Sequence, residues 1–507
     1  MVTRRDFLVA GAAFASMGTT PFALANSARP GSEIVMMDAT ALATAIRTRS
    51  VSCVEVMNAY LDQVERLNPK VNAIVALQDR AALLAEAEAR DLQGARGEWM
   101  GPLHGLPHAV KDLAALKGFR FTRGSPIYKD AVATNDAEMV ARLRKAGVVF
   151  IGKTNTPEFG LGSHTYNNVY GTTLNAYDQA RSAGGSSGGA AVGLALRMLP
   201  LADGSDFGGS LRNPAGWNNV FGFRTTIGLV PTEGRDVWAP TMGVAGPMAR
   251  TVTDLAMLLE VQAGNDPRAP YSVRDKKISY VGQLDADMRG KRVGWLGDFS
   301  GATANEPEVM EVCKAALKSF ETVGCVVEEA VPDYPAEKAW RAYMQLRHIQ
   351  QGGGILAEYK DADKRALLKP EAIWEIENGL KLSAFDVQAA SVIRAEWCMS
   401  FRKLYEHFDF LLVPSAQLFP FDAQIHWPKE INGRQMETYH EWSKAVSLIT
   451  LLGGPALAVP AGFSARGLPI GLQIVGPLHQ ELECLQLARA YERVNDWIAK
   501  RKPALLA

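Results

Sequence analysis

The amino-acid sequence predicts an α/β protein: a mixed, twisted β-sheet core covered on both faces by helices. Three observations carry that expectation. Short apolar runs at 108–110, 148–151 and 470–475 alternate with segments of helical periodicity such as 136–145 and 480–494. Hydrophobic residues make up 47% of the chain and charged ones 21%, a balance that excludes a disordered or multi-spanning membrane protein. The stretch 160–250 is crowded with Gly, Ser, Asn and Thr, too dense in turn formers for ordinary helices. Inside an otherwise apolar α/β protein, such a stretch builds a site from backbone. At 507 residues the chain is long enough for about three domains or for one large α/β domain.

The elements follow in order. Residues 38–93 read as helical, with a strand at 72–77. Ser52 and Glu55 have the spacing of a capping box, and Val56, Tyr60, Val64 and Leu67 recur on one helical face. Asn68 and Pro69 are expected to stop that helix, and 79–92 to form the next. Strands and helices then alternate from residue 100. Residues 336–408 are helical and aromatic, with Trp340, Tyr343, Trp374 and Trp397, and read as a covering subregion. No repeat or low-complexity tract interrupts the chain.

The first segment reads as an address. Arg4 and Arg5 followed by Phe7 and Leu8, then an apolar run over 9–15, resemble a twin-arginine export signal. That run is far short of the roughly 20 residues that span a bilayer. Ala23, Leu24 and Ala25 supply a small-x-small cleavage site, so 1–25 is expected to be removed and the remainder to be periplasmic. The export machinery is then a partner, and no membrane span is expected. Lys+Arg and Asp+Glu both number 54, which leaves no basic surplus for nucleic acid. Five scattered cysteines, none in a C-x-x-C pair, do not make a disulfide framework, though one bridge is allowed.

Three segments could carry chemistry. One is the block Gly184, Gly185, Ser186, Ser187, Gly188, Gly189, followed by a helix-forming run to Arg197. The second is Asp206, Phe207, Gly208, Gly209, Ser210, Leu211, Arg212. The third ends an apolar stretch at Lys111 and Asp112. Glycines beside serine let the main chain approach a substrate and aim several N–H groups at one point, as an oxyanion requires. Serine needs a base to become a nucleophile, and none of the eight histidines has a compelling motif. Burial disfavours the charged form of lysine, so Lys111 can serve as that base. Alone, a Lys-Asp pair is ordinarily solvated and a Gly-Ser run ordinarily a flexible loop. Their joint occurrence changes the reading.

Together these segments resemble the amidase signature family of serine hydrolases over roughly residues 35 to 495. The glycine–serine block at 184–189, the stretch at 204–212 and the 24-residue interval from Ser186 to Ser210 fit the family pattern. So do 105–112, 152–159, 246–254 and 467–473. The resemblance implies one amidase-signature domain over 26–507 that cleaves a carboxylic amide through an acyl-serine. Ser210 would be the nucleophile, Ser186 a bridging serine on a cis peptide bond, and Lys111 the base. The N–H groups of Phe207, Gly208, Gly209 and Ser210 would hold the oxyanion. Asp206, Arg212 and Ser187 would support the loop. No cofactor or metal is implied; the partner is a small-molecule amide, with a homodimer as an open possibility. Where the family often has proline, this chain has Ala176, Ala183 and Thr225, which bears on loop geometry and not on reaction class.

Two other readings compete. Gly184, Ser186 and Gly188 also satisfy a nucleophile elbow with Ser186 as attacker, but that motif needs a strand before it, and 175–182 is polar and turn-like. An exported solute-binding protein would explain the signal but not Lys111 joined to two serine loops. A phosphate-binding P-loop is excluded because no Lys-Ser/Thr follows the glycines. His164, Tyr166, Trp238 and Trp340 are the candidate substrate-pocket residues, and an apolar or aryl acyl group is the expected substrate.

Overall fold

The computed structural model describes residues 31–232, 242–273 and 279–507. The expected signal at 1–25 and Trp238 lie outside the described residues. The helix α1 (Cys53–Val71) opens with the expected capping box. The Ser52 hydroxyl accepts the Glu55 N–H, and the Glu55 carboxylate accepts the Ser52 N–H. The helix does not stop at Asn68 and Pro69 but runs through them. Asn68 instead accepts the N–H groups of Ala73 and Ile74 beyond the helix end, and Asn72, at φ 53°, turns the chain left-handed. The strand expected at 72–77 is only β1 (Ile74–Val75). α2 (Arg80–Ala95) follows, capped by Asp79.

β2 (Pro107–Lys111), α3 (Glu138–Lys145) and β3 (Val149–Thr154) complete the first unit. β3 lies between its partners in a three-stranded sheet, antiparallel to β1 and parallel to β2. The turn-rich stretch nevertheless holds a helix, α4 (Gly188–Ala195), every residue of which is buried. Its glycines and alanines let neighbouring backbone come close enough for that burial. Next come β4 (Ala202–Asp206), α5 (Arg212–Trp217), β5 (Phe221–Arg224), β6 (Val244–Ala249) and α6 (Val252–Gln262). β7 (Arg292–Trp295), α7 (Pro307–Thr322) and β8 (Val326–Glu329) follow.

The 336–408 region is helical as expected. α8 (Ala336–Arg347) passes into a π-helical turn at His348–Gly352, and α9 (Pro370–Gly379) and α10 (Ala384–Leu404) come after it. β9 (Phe410–Pro414), α11 (Lys444–Thr450), β10 (Ala456–Phe463), β11 (Pro469–Val475) and α12 (Glu481–Val494) follow. The large sheet is mixed, in the order β8-β7-β9-β11-β10-β5-β6-β4. β7 is parallel to β8 and β9, and the remaining pairs are antiparallel. All five cysteines are free thiols, so the one allowed bridge is not formed. Among the described residues no helix is long and apolar enough to cross a membrane.

Trp217, at the end of α5, anchors the core below the glycine loop. It is fully buried, stacks on Trp442 at 5.3 Å and donates its indole N–H to the Leu418 carbonyl. Truncation removes a large apolar contact and leaves that carbonyl unpaired. Trp217→Ala is expected to lower the unfolding free energy by about 3–5 kcal/mol, read as a drop in the urea midpoint.

Candidate active site

The site lies where the two sheets meet. β2 ends at Lys111, β4 runs into the loop 207–210, and the turn before α4 carries Ser186 and Ser187. The Lys111 side chain is 1% exposed, and its Nζ lies 2.8 Å from both Ser186 Oγ and Ser187 Oγ. Ser205 Oγ at 3.0 Å and the Ser205 carbonyl at 3.3 Å complete its surroundings. Burial pulls the Lys111 pKa down to about 7, against the opposing pull of the Asp203 and Asp206 carboxylates. Near neutral pH this amine can shed its proton and accept one from a hydroxyl.

The peptide bond between Gly185 and Ser186 is cis, as the family resemblance implies. Ser187, expected only as support, is a direct partner of the amine and passes a hydrogen bond to the Ser205 carbonyl at 3.3 Å. Ser210 joins the group through its backbone: its carbonyl accepts the Ser187 N–H at 3.3 Å. No hydrogen bond links the Ser210 hydroxyl to Ser186 or Lys111.

One expectation about the oxyanion donors is corrected. The Gly209 N–H is donated to Asp206 Oδ1 at 2.9 Å, because Asp206 folds back over its own loop. Phe207, Gly208 and Ser210 keep N–H groups without a protein acceptor among the described residues. Gly209 sits at φ 108°, a conformation that favours glycine. At Gly208 an added Cβ would stand 2.2 Å from the Tyr343 hydroxyl.

Asp206 and Arg212 hold this loop in shape. The Asp206 carboxylate takes the Gly209 and Leu211 N–H groups, Arg212 through two nitrogens and Arg224 Nη1. Burial pushes its pKa up, but the Arg212 and Arg224 guanidiniums overcome this and hold it well below the usual carboxylate range. Arg212 reaches further, to the Val446 carbonyl, Gln473 and Thr450. Removing one partner from such a buried pair costs about 3–5 kcal/mol.

The candidate pocket residues divide. His164 has both ring nitrogens engaged, with Ser182 Oγ at 2.7 Å and the Ala423 carbonyl at 3.2 Å. Burial lowers its pKa to about 4, so it is a neutral structural group. The Tyr166 hydroxyl donates to Glu371 and its ring stacks on His426, tying its loop to α9. Trp340 stacks on Tyr343 at 5.5 Å and so lies one ring away from the glycine loop. His104 and His108 are separate: His108 pairs with Asp203 at 2.9 Å, and His104 bonds the Arg90 carbonyl.

Sequence reasoning missed Ser205, Asp203 and Tyr343. The first two had a signal, since residues 203 and 205 alternate onto one face of β4 and that face meets β2. Asp203 accepts the Lys111 backbone N–H at 3.2 Å and His108 Nε2. Tyr343 had none, being distant in sequence and placed in an ordinary amphipathic helix.

A dry amine wired to serine hydroxyls, beside a glycine loop with unclaimed N–H groups, defines the class: hydrolases that act on amides. The Amidase family model matches residues 55–485, and the chain belongs to the amidase signature family. It is 35% identical over 478 residues to an acylamidase of Rhodococcus erythropolis, covering 92% of this chain and 97% of that one. It is 32% identical over 463 residues to a glutamyl-tRNA(Gln) amidotransferase subunit of Alkaliphilus metalliredigens (strain QYMF), covering 87% and 92%. Among solved structures it resembles a bacterial aryl acylamidase of the amidase signature family at a TM-score of 0.85 and 29% identity, covering 91% and 96%. The 6-aminohexanoate cyclic dimer hydrolase is similar at a TM-score of 0.81 and 26% identity, covering 93% and 99%.

The Lys111 shift has a stability signature. Its folded pKa is lowered, so between about pH 7 and 10.5 the unfolded chain binds the extra proton. Stability therefore rises with pH across that window, by up to about 1.4 kcal/mol per pH unit. Lys111→Met lacks this contribution. Urea unfolding of both proteins at neutral and alkaline pH is expected to show wild-type stability gaining on the variant as pH rises.

Proposed function

We propose that the protein hydrolyses the C–N bond of linear carboxylic amides with an apolar or aryl acyl group, after export to the periplasm by the twin-arginine route. One observation carries the mechanism: the Lys111 amine is sealed from water, with its pKa lowered to about 7, and is 2.8 Å from the Ser186 hydroxyl. In this reading neutral Lys111 takes a proton from Ser186. Ser186 takes one from Ser210 as Ser210 Oγ attacks the carbonyl carbon. The contact between the two serines forms once substrate draws the hydroxyls together, since catalytic hydrogen bonds are often loose in an empty site.

The N–H groups of Phe207, Gly208 and Ser210 receive the developing negative charge. Ser186 then gives its proton to the departing nitrogen while taking one back from Lys111, and the C–N bond breaks. Water, deprotonated along the same path, releases the acid from Ser210. The expected aryl or apolar acyl group is supported by the rings of Phe207, Tyr343 and Trp340 beside the loop and by the likeness to acylamidases. Export rests on Arg4, Arg5 and the small-x-small site at 23–25.

Ser210→Ala and Lys111→Ala are each expected to lower kcat/KM on a panel of aryl, peptide and aliphatic amides by at least about a thousandfold. Circular dichroism should remain unchanged. A serine-directed fluorophosphonate should tag Ser210 by peptide mass spectrometry; a tag on Ser186 would replace this mechanism by the nucleophile elbow. Wild-type kcat/KM should climb about tenfold per pH unit up to about pH 7 and then level, because only the unprotonated amine acts. Replacing both Arg4 and Arg5 with Lys should retain the protein in the cytoplasm on cell fractionation.

A further inference from the structure

The helical cover presents two unclaimed hydrogen-bond donors to the glycine loop. They stand one turn apart on α8, at the i,i+4 spacing that puts two side chains on one face. Tyr343 is 1% exposed, and its hydroxyl lies against Gly208 but bonds to no described residue. Arg347 is 5% exposed, and its guanidinium carbon lies 5.4 Å from the centre of the Phe207 ring. Its Nε is shared between Glu375 at 2.7 Å and His440 Nε2 at 2.6 Å, and Nη2 donates to the Tyr439 hydroxyl at 3.2 Å, while Nη1 has no partner among the described residues. Among the described residues, neither the Tyr343 hydroxyl nor Arg347 Nη1 is one of the fully buried unpaired polar atoms, so each keeps a little exposed surface.

Their surroundings are built to hold them still. Glu375 takes Arg347, His440 at 2.8 Å, Tyr439 and His348 at 2.6 Å, so the guanidinium is fixed by its carboxylate. Burial pushes the Glu375 pKa up, but Arg347 first and then the histidines overcome this and keep it ionised. Trp340 backs the Tyr343 ring. A buried N–H or O–H without a partner costs stability unless something fills the vacancy. Both vacancies lie beside the residues assigned to the oxyanion.

We propose that Tyr343 Oη and Arg347 Nη1 form a subsite for an oxygen acceptor on the acyl part of the substrate. This rests on the amide-hydrolase reading above. Ser186 must return a proton to the departing nitrogen, so the leaving group lies toward Ser186 and Lys111. What extends over Phe207 and Gly208 is then the acyl group. The preferred substrate class is an aryl-bearing amide with a carbonyl or carboxylate oxygen a few bonds from the scissile carbon, such as an N-acylated aromatic amino acid amide. Glu375 balances the Arg347 charge, so a neutral carbonyl is accepted as well as a carboxylate.

The test compares the para-nitroanilides of N-acetylphenylalanine and of hydrocinnamic acid, which share the phenyl ring and differ by the acetamido acceptor. Wild type is expected to favour the former by at least about tenfold in kcat/KM. Tyr343→Phe and Arg347→Met should each shrink that ratio at least about fivefold. If Arg347→Met fails to fold, because Glu375 loses its partner, Tyr343→Phe and Arg347→Lys carry the test. A ratio near one in wild type, or one that the variants leave intact, overturns the subsite while amide hydrolysis stands. A wild type inert on both substrates, with Ser210 unreactive to fluorophosphonate, overturns the function and the subsite with it.

Discussion

The site depends on keeping one amine dry. Lys111 ends a strand whose residues are all buried, and its Nζ finds only hydroxyls and one carbonyl oxygen. Water in that seat would restore the ordinary lysine pKa and leave the amine charged at neutral pH. The glycine–serine turn and β4 close around it from two sides. Their small residues serve that closure as much as they serve substrate approach. The amine is poised by opposing effects: burial favours the neutral form, and Asp203 and Asp206 favour the charged one.

Asp206 links that seat to the loop carrying the nucleophile serine of the proposed mechanism. Its carboxylate gathers two backbone N–H groups and two guanidiniums, all fully buried, so the loop 207–211 is held at Gly209 and Leu211. Such a knot of charge contributes little net stability, but each member removed leaves the others unpaired. The helical cover is tied down by ionic contacts too. Glu375 gathers Arg347, His348 and His440, and Lys369 anchors the start of α9 to the Leu161 carbonyl. The cover is thereby registered against the loop and not simply laid over it.

Much of this was legible beforehand, for identifiable reasons. The glycine–serine block and the 24-residue interval mark Ser186 and Ser210 through their likeness to the amidase signature family; taken alone, such a run reads as a flexible loop. The capping box at Ser52 and the strands at 107–111, 149–154 and 469–475 follow from local chemistry and periodicity. Local rules misjudged Pro69, which the last turn of α1 tolerates once Asn68 takes over the cap. They also overrated His164, whose nearness in sequence to the glycine block turned out to mean a packed, fully bonded ring. The Gly209 amide looked free until Asp206 turned back onto it. Tyr343 and Arg347 could not be found from periodicity, because nothing local records which loop a helix will cover.

β10 and β11 follow both serines and the lysine in the sequence yet lie in the middle of the large sheet, and Gln473 on β11 braces Arg212. A ribosome that has delivered residues 1–450 has therefore made both serines and the lysine but not the strands that join β9 to β5. The half-made chain is an open book without its spine. Without β10 and β11 the large sheet falls into two parts, and Arg212 lacks the Gln473 oxygen that accepts its Nη1–H.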